Sequence, residues 1–447
     1  AGDGNGRAHG PPAHALAGDP EAPVIEPLIA PLRAVWESLI ERLLFLPPFP
    51  ESIDALALFS LLLVTGLLMG EWLHAHARWP KVIGYVLAGI LFGPSLLGWI
   101  GVETLAQARP IADAALGLLM MEVGRRLDLS WLRRNPELLR STLADIGLSF
   151  ALIFAFALWL VGLSPAWAAA TAAVTMASAP AVVLLTVEES RAQGQVTERI
   201  ILHTAISSAA SFVAFAFVLG VVHAELSEDW LNAVVHPIWV VTGALLVGGL
   251  GSWLALRIAR ALPKRSLAQV FVLVACALLA VGIARMLAVP VFLTLFLMGV
   301  LLAAFDRRQT LRYTELPDGH WLLAIVLFVI VGASLPWQEF TWLAGLQALG
   351  LLLVRAAAKA AALAWSGGSL PLPKRLLVGM GIQPLSATAV FMAYELASLY
   401  PEVGRSALTL PLFAAAMMEL AGPALCRLAL RRSGECENEA GERGGIA

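Results

Sequence analysis

Apolar residues in this chain gather in long runs separated by short polar and often basic stretches, with no strict alternation of the kind a strand would need. A helix that crosses a bilayer requires about 20 mostly apolar residues. Thirteen runs approach that length, near 53–71, 81–100, 110–124, 139–162, 166–187, 197–222, 235–257, 266–286, 288–305, 319–335, 341–365, 373–399 and 406–430. Each predicts a transmembrane helix, and together they predict an all-α polytopic membrane protein occupying residues 51–432. Ahead of them, residues 1–26 are rich in Gly, Pro and Ala with no apolar period, which predicts a disordered tail. Within residues 27–50, Leu32, Val35, Trp36, Leu39, Ile40, Leu43 and Leu44 recur at helical spacing. That spacing predicts an amphipathic helix lying on the membrane surface. Residues 433–447 read as a polar cytoplasmic tail.

Composition agrees: 59% of the 447 residues are hydrophobic and 14% charged, against about 25% charged in soluble domains. The formal net charge of -2 gives no sign of a nucleic-acid partner. Cys276, Cys426 and Cys436 are spaced too widely for a metal knuckle, so neither a disulfide framework nor a metal site is expected. No cofactor is expected either, and nothing in the chain suggests the hydrolytic, redox or phosphate-binding chemistry of an enzyme. Charge does orient the runs. One alternate set of loops holds eighteen Lys and Arg residues, including Arg125, Arg126, Arg133, Arg134 and Arg140, while the other holds only Arg109, Arg285 and Arg405. Basic loops remain on the cytoplasmic side, so the N-terminus is expected outside an inner membrane and the C-terminus inside.

The runs also repeat. Pro80 and Gly89 have the separation of Pro290 and Gly299, and "VGRRL" at Gly124 is echoed by "VGASL" at Gly332. A proline then follows inside an apolar run in each half, Pro180 in "MASAPAVV" and Pro384 in "GIQPLSATAV". These features pair the second run with the ninth, the third with the tenth and the fifth with the twelfth. An offset of seven helices is odd, so the two halves must insert with opposite orientation. A lone Gly or Pro in a membrane helix ordinarily serves packing or a kink. The matched order points instead to inverted repeats with interrupted helices, which offer free backbone groups near the midplane.

The stretches "WPKVIGYVLAGILFGPSLLG", "MASAPAVVLLTVEESRAQGQ" and "VLFVIVGASL" resemble the cation:proton antiporter-2 family, the Kef-type or sodium/hydrogen exchanger-like carriers. The resemblance covers roughly residues 53–430. It implies a fold of about thirteen transmembrane helices with two crossed broken helices, a dimerisation subdomain and a core subdomain moving like an elevator, and a homodimer exchanging Na+ or K+ for protons. It also implies a sixth helix beside the crossed fifth and twelfth. Members with potassium-efflux regulation carry a C-terminal nucleotide-binding domain. This chain ends in a short polar tail, so regulation of that kind is not expected.

One departure bears on the chemistry. Where ion-coupling members place Asp-Asp, Asn-Asp or Gln-Asp on the sixth helix, this sequence has Ser207-Ser208. A serine hydroxyl can coordinate a cation but does not titrate near neutrality. Candidate replacements for the missing proton site are Glu122, within an apolar run but next to Arg125 and Arg126, and His203, one turn before Ser207. The alternative for Glu122 is an ion pair at the rim, and for His203 a place at the membrane interface. Asp145 and Glu419 also lie within predicted spans, Asp145 as a cap or ion pair near the cytoplasmic entrance and Glu419 as a helix-to-helix contact. Ser178 beside Pro180 joins the candidate ion ligands, and Gln383 beside Pro384 joins the broken-helix residues. Arg355 and Lys359 share one face of the eleventh run. Partners open to Arg355 are carbonyls at a helix break, Glu122 or Asp145, or a transported anion, while Lys359 could snorkel to the inner interface. Three functions follow: proton-coupled cation exchange through a relocated carboxylate, an uncoupled or anion-carrying transporter, and a membrane sensor or scaffold that has lost transport.

Overall fold

Prolines start helices in both halves of the chain. Pro80 and Pro290 hold the N-cap positions of their helices with closely similar dihedrals, while Pro136, Pro165 and Pro180 each occupy a first helical position, where a missing N–H costs nothing. The computed structural model describes residues 31–36, 55–127, 132, 134–227, 230–262, 267–306, 319–335, 337–366, 368–385, 387–399 and 401–436. Its helices are α1 (Ala55–Ala77), α2 (Lys81–Phe92), α3 (Val102–Arg126), α4 (Pro136–Phe156), α5 (Pro165–Thr175), α6 (Pro180–Glu189), α7 (Gln195–Ser227) and α8 (Trp230–Ala259). There follow α9 (Leu267–Met286), α10 (Val291–Phe305), α11 (Gly319–Ala333), α12 (Trp342–Ser366), α13 (Leu372–Gly381), α14 (Ala387–Leu399) and α15 (Pro401–Ser433). No strand occurs among the described residues.

Each apolar run falls on one helix, except the fifth and twelfth, which each fall on two. Among the described residues seven stretches are long and apolar enough to cross a membrane, and Lys81–Phe92, Val291–Phe305 and Trp321–Ala333 are shorter apolar helices. The expected surface helix is helical over 31–36, and the rest of residues 27–50 and the 1–26 tail lie outside the described residues. Side-chain burial departs from that of a soluble protein at both surface and centre. Leu246, Leu250 and Trp253 of α8 and Leu346 and Leu353 of α12 are exposed, while Asp145, Arg355, Lys359 and Glu419 are fully buried. An apolar exterior, around an apolar core that holds a few buried charges, suits a lipid solvent.

Packing divides the helices into two bundles. One contains α1, α2, α3 and α8 to α11, and the other contains α4 to α7 and α12 to α15, with α7 and α8 joining them. The repeated glycines explain the first bundle. A Cβ on Gly89 would strike Val329 O of α11, and one on Gly332 would strike Val86 O of α2. Likewise Gly124 abuts Phe296 O of α10, and Gly299 abuts Met121 O of α3. Thus α2 pairs with α11 and α3 with α10, as required by a two-fold that exchanges the second run with the ninth and the third with the tenth. The repeat signal in these four glycines therefore marks close backbone approach. Gly299→Ala and Gly89→Ala are each expected to destabilise the protein by about 1–3 kcal/mol, because the obstructing atoms are backbone and cannot rotate away. Thermal unfolding in detergent checks this, with Gly282→Ala, which meets open space, as the control.

Candidate functional site

The second bundle is organised around its two interruptions. Helix α5 ends at Thr175 and α6 begins at Pro180, while α13 ends at Gly381 and α14 begins at Ala387. The breaks touch: Ala179 N donates to Pro384 O at 2.8 Å, and Ser178 Oγ donates to Ile382 O at 2.7 Å. Gly422 of α15 lets that helix close on Pro384, whose Cα lies 2.8 Å from where a Cβ would stand. The ends of α5 and α13 bring several carbonyls with no helical partner together in the interior. Arg355 satisfies them. Its Nε donates to Thr175 O at 2.8 Å, Nη2 to Ala177 O at 2.6 Å, and Nη1 to Gln383 O at 2.6 Å and Gln383 Oε1 at 3.0 Å. Four of its five N–H groups are thereby used. Of the partners open to Arg355 in the sequence, the structure selects carbonyls at the helix breaks.

One turn along α12, Lys359 is fully buried and does not reach an interface. Its Nζ lies 3.1 Å from Asp145 Oδ2, 3.3 Å from Oδ1 and 3.2 Å from Ser178 Oγ. Three acceptors match the three protons of an ammonium. Asp145 Oδ1 also accepts from Ser149 Oγ at 3.1 Å. Of the cap and the ion pair open to Asp145 in the sequence, the structure shows the ion pair, and both of its members have no exposed side-chain surface. The reason lies in α4, where Ser141, Thr142, Asp145 and Ser149 form a buried polar stripe at helical spacing.

His203 is also buried, contrary to an interfacial placement. Its Nε2 is 3.1 Å from Ser141 Oγ and its Nδ1 3.2 Å from Thr142 Oγ1, which ties α7 to the stripe on α4. Ser207, one turn on, donates to Thr204 O, while the Ser208 hydroxyl is buried without a hydrogen-bond partner among the described residues. Glu122 is not brought to this cluster. It pairs with Arg125 at 3.2 Å and Arg126 at 3.4 Å on a partly exposed rim, because its place in the last turn of α3 puts two arginines within reach. Glu419 is fully buried on α15, one turn from Gly422.

On the Arg-rich side a cavity of about 710 Å³ is lined by Arg126, Glu188, Arg191, Thr197, Glu198, Ile201 and Glu435 among others. A second, of about 280 Å³, shares Arg126, Glu198 and Ile201 and extends along α7 to Leu202 and Ala205. The residues missed in the sequence are the stripe partners Ser141, Thr142 and Ser149, whose signal was their spacing about Asp145. Among the described residues no group of three or more His, Cys, Asp and Glu side chains could hold a metal ion.

Oppositely oriented repeats whose broken helices meet around a buried ion pair define the architecture of an inverted-repeat secondary transporter. The family model for the sodium/hydrogen exchanger, transmembrane, matches residues 59–422, and the chain belongs to that family. Among solved structures it is similar to the sodium proton antiporter MjNhaP1 from Methanocaldococcus jannaschii at pH 8, with 18% identity, a TM-score of 0.68 and coverage of 85% of this chain and 99% of that one. A three-dimensional electron-microscopy map of the same antiporter matches with a TM-score of 0.66 at 18% identity, covering 86% of this chain and 99% of that one. At this identity the likeness concerns the fold. No curated protein matches the chain.

Proposed function

We propose that the protein exchanges a monovalent cation, Na+ or K+, for protons across an inner membrane, with Asp145 as the coupling carboxylate in place of the absent sixth-helix Asp. The observation that carries this reading is the Asp145–Lys359 pair, fully buried and hydrogen-bonded to Ser178 at the helix break. A carboxylate in that setting must be neutralised at all times, since an uncompensated charge away from water is strongly disfavoured. Three partners can neutralise it: the Lys359 ammonium, a monovalent cation, or a proton. They exclude one another at the same oxygens. A cation arriving at Asp145 therefore expels the proton that the pair holds, and a returning proton expels the cation. Ser178, Ser207 and Ser208 supply neutral oxygens along the cation's route, and His203 holds α7 against the stripe that carries Asp145.

The two bundles fit an elevator, in which the bundle holding both breaks slides against the other, and a homodimer is part of this reading. The Arg-rich side is cytoplasmic by the loop charge rule. A carrier that draws an anion to Arg355 is less well supported, because that guanidinium is occupied by the helix breaks. In proteoliposomes enclosing a pH-sensitive dye, addition of Na+ or K+ outside is expected to shift the internal pH. Cation flux without any pH change would establish an uncoupled carrier, and no flux of any monovalent cation from folded protein would leave a sensor or scaffold.

A further inference from the structure

The two cavities on the Arg-rich side lie between the two bundles. One wall of the cavities is α3, through Val123, Arg126 and Leu127, and the other is α6 and α7, through Glu188, Glu198, Ile201, Leu202 and Ala205. The lining positions on α7 recur every three or four residues, and Ser208 is the next on that face. Its hydroxyl is buried without a hydrogen-bond partner among the described residues. A guanidinium lies in both cavities. Arg126 lines both cavities, with Nη2 2.6 Å from Glu188 Oε1 on α6 and Nε 3.4 Å from Glu122 Oε1 on its own helix. A guanidinium in a narrow vestibule repels arriving cations, and low-dielectric walls strengthen that field.

We propose that Arg126 is the gate of the cation path on this side. While its guanidinium bridges α3 and α6, the inner cavity is closed to cations. Because these helices belong to different bundles, any sliding of one bundle against the other draws Glu188 away. The guanidinium then falls back on Glu122 alone, and the route to Ser208 opens. Glu122, a sequence candidate for the proton site, becomes the parking position of the gate. The gate rests on the proposed cation transport for its purpose, but its test does not require transport. Arg191, Glu198 and Glu435 also line the outer cavity, Glu435 held there by the backbone N–H groups of Val196 and Thr197 at 2.9 and 2.8 Å, and Arg126 is the charge that bridges the two bundles through Glu188.

The test uses thiol-reactive reagents on full-length protein carrying Ala205→Cys, with Cys436→Ser to remove the cavity's own thiol. Arg126→Gln is expected to raise the modification rate by a cationic methanethiosulfonate about tenfold while changing the rate of a neutral one little. Arg126→Lys should keep the slow rate, since it keeps the charge. The Arg126 side chain is 36% exposed, so its replacement leaves the fold intact. Equal acceleration of both reagents, no acceleration of either, or a Lys variant as fast as Gln would overturn the gate. In exchange assays Arg126→Gln should lower the apparent KM for the cation at this face without raising the maximal rate. If exchange is absent even from the parent protein while the reagent result holds, the proposed transport fails and the charge barrier stands.

Discussion

Asp145→Asn is expected to abolish cation-driven proton movement while leaving the protein in the membrane. The asparagine keeps the shape and most of the hydrogen bonds but cannot take up or release a proton, so a cation at the site has nothing to displace. The single substitution also strands the Lys359 ammonium among apolar helices, which costs about 3–5 kcal/mol where one member of a buried pair is removed. Loss of exchange could then be confused with loss of fold, and the double variant Asp145→Asn with Lys359→Met separates the two. Replacing both charges by neutral groups of similar volume is often neutral or stabilising, so the double variant should melt at or above the parent and still fail to exchange. Proton flux in liposomes and thermal unfolding in detergent give the two readings. Exchange retained by Asp145→Asn would end the assignment. By contrast, Glu122→Gln should keep cation-driven proton movement, with a changed apparent KM for the cation as its only effect on exchange, and lose at most about 1 kcal/mol, since its pairs lie on a partly exposed rim where ion pairs contribute little.

That contrast shows where the sequence was informative. The architecture was readable because bilayer thickness and loop charge act on long segments, and because the repeats fix prolines and glycines by backbone geometry that any homologous half must share. Pro180 and Pro384 marked both breaks, and Gly89, Gly124, Gly299 and Gly332 marked the close approaches, although they serve the first bundle and not the ion site. The site was less legible because the chemistry of a buried carboxylate depends on what faces it. Glu122 and Asp145 are both acids inside apolar runs. One has arginines three and four positions on and takes them as partners, whereas the other sits within a buried stripe of hydroxyls on α4 and meets Lys359 of α12. Spacing on α4 could have raised Asp145 above Glu122, since Ser141, Asp145 and Ser149 repeat every four residues. The identity of its partner could not be read, because Lys359 is 214 residues away in sequence.

Arg355→Ala is expected to have the largest effect on stability, greater than any change at the ion pair. The guanidinium is the shared cap of two helix ends, joining Thr175 O and Ala177 O of one break to Gln383 O of the other. Its removal leaves three buried carbonyls unmet at roughly 1–3 kcal/mol each, opens a cavity, and takes away the positive charge that offsets two helix C-termini. Water is scarce in the interior of a membrane protein and cannot readily replace the guanidinium. Arg355→Ala should therefore yield little folded protein, seen as loss of the monodisperse peak in detergent chromatography. Arg355→Lys should recover part of it, because an ammonium supplies the charge and three donors but from a single point, and cannot span both breaks as a planar fork does. An anion-carrying role would give a different pattern: both variants would fold and lose only flux. The graded loss of fold from Arg to Lys to Ala is the result that ties this residue to the broken helices and leaves Asp145 and Lys359 to handle the ion.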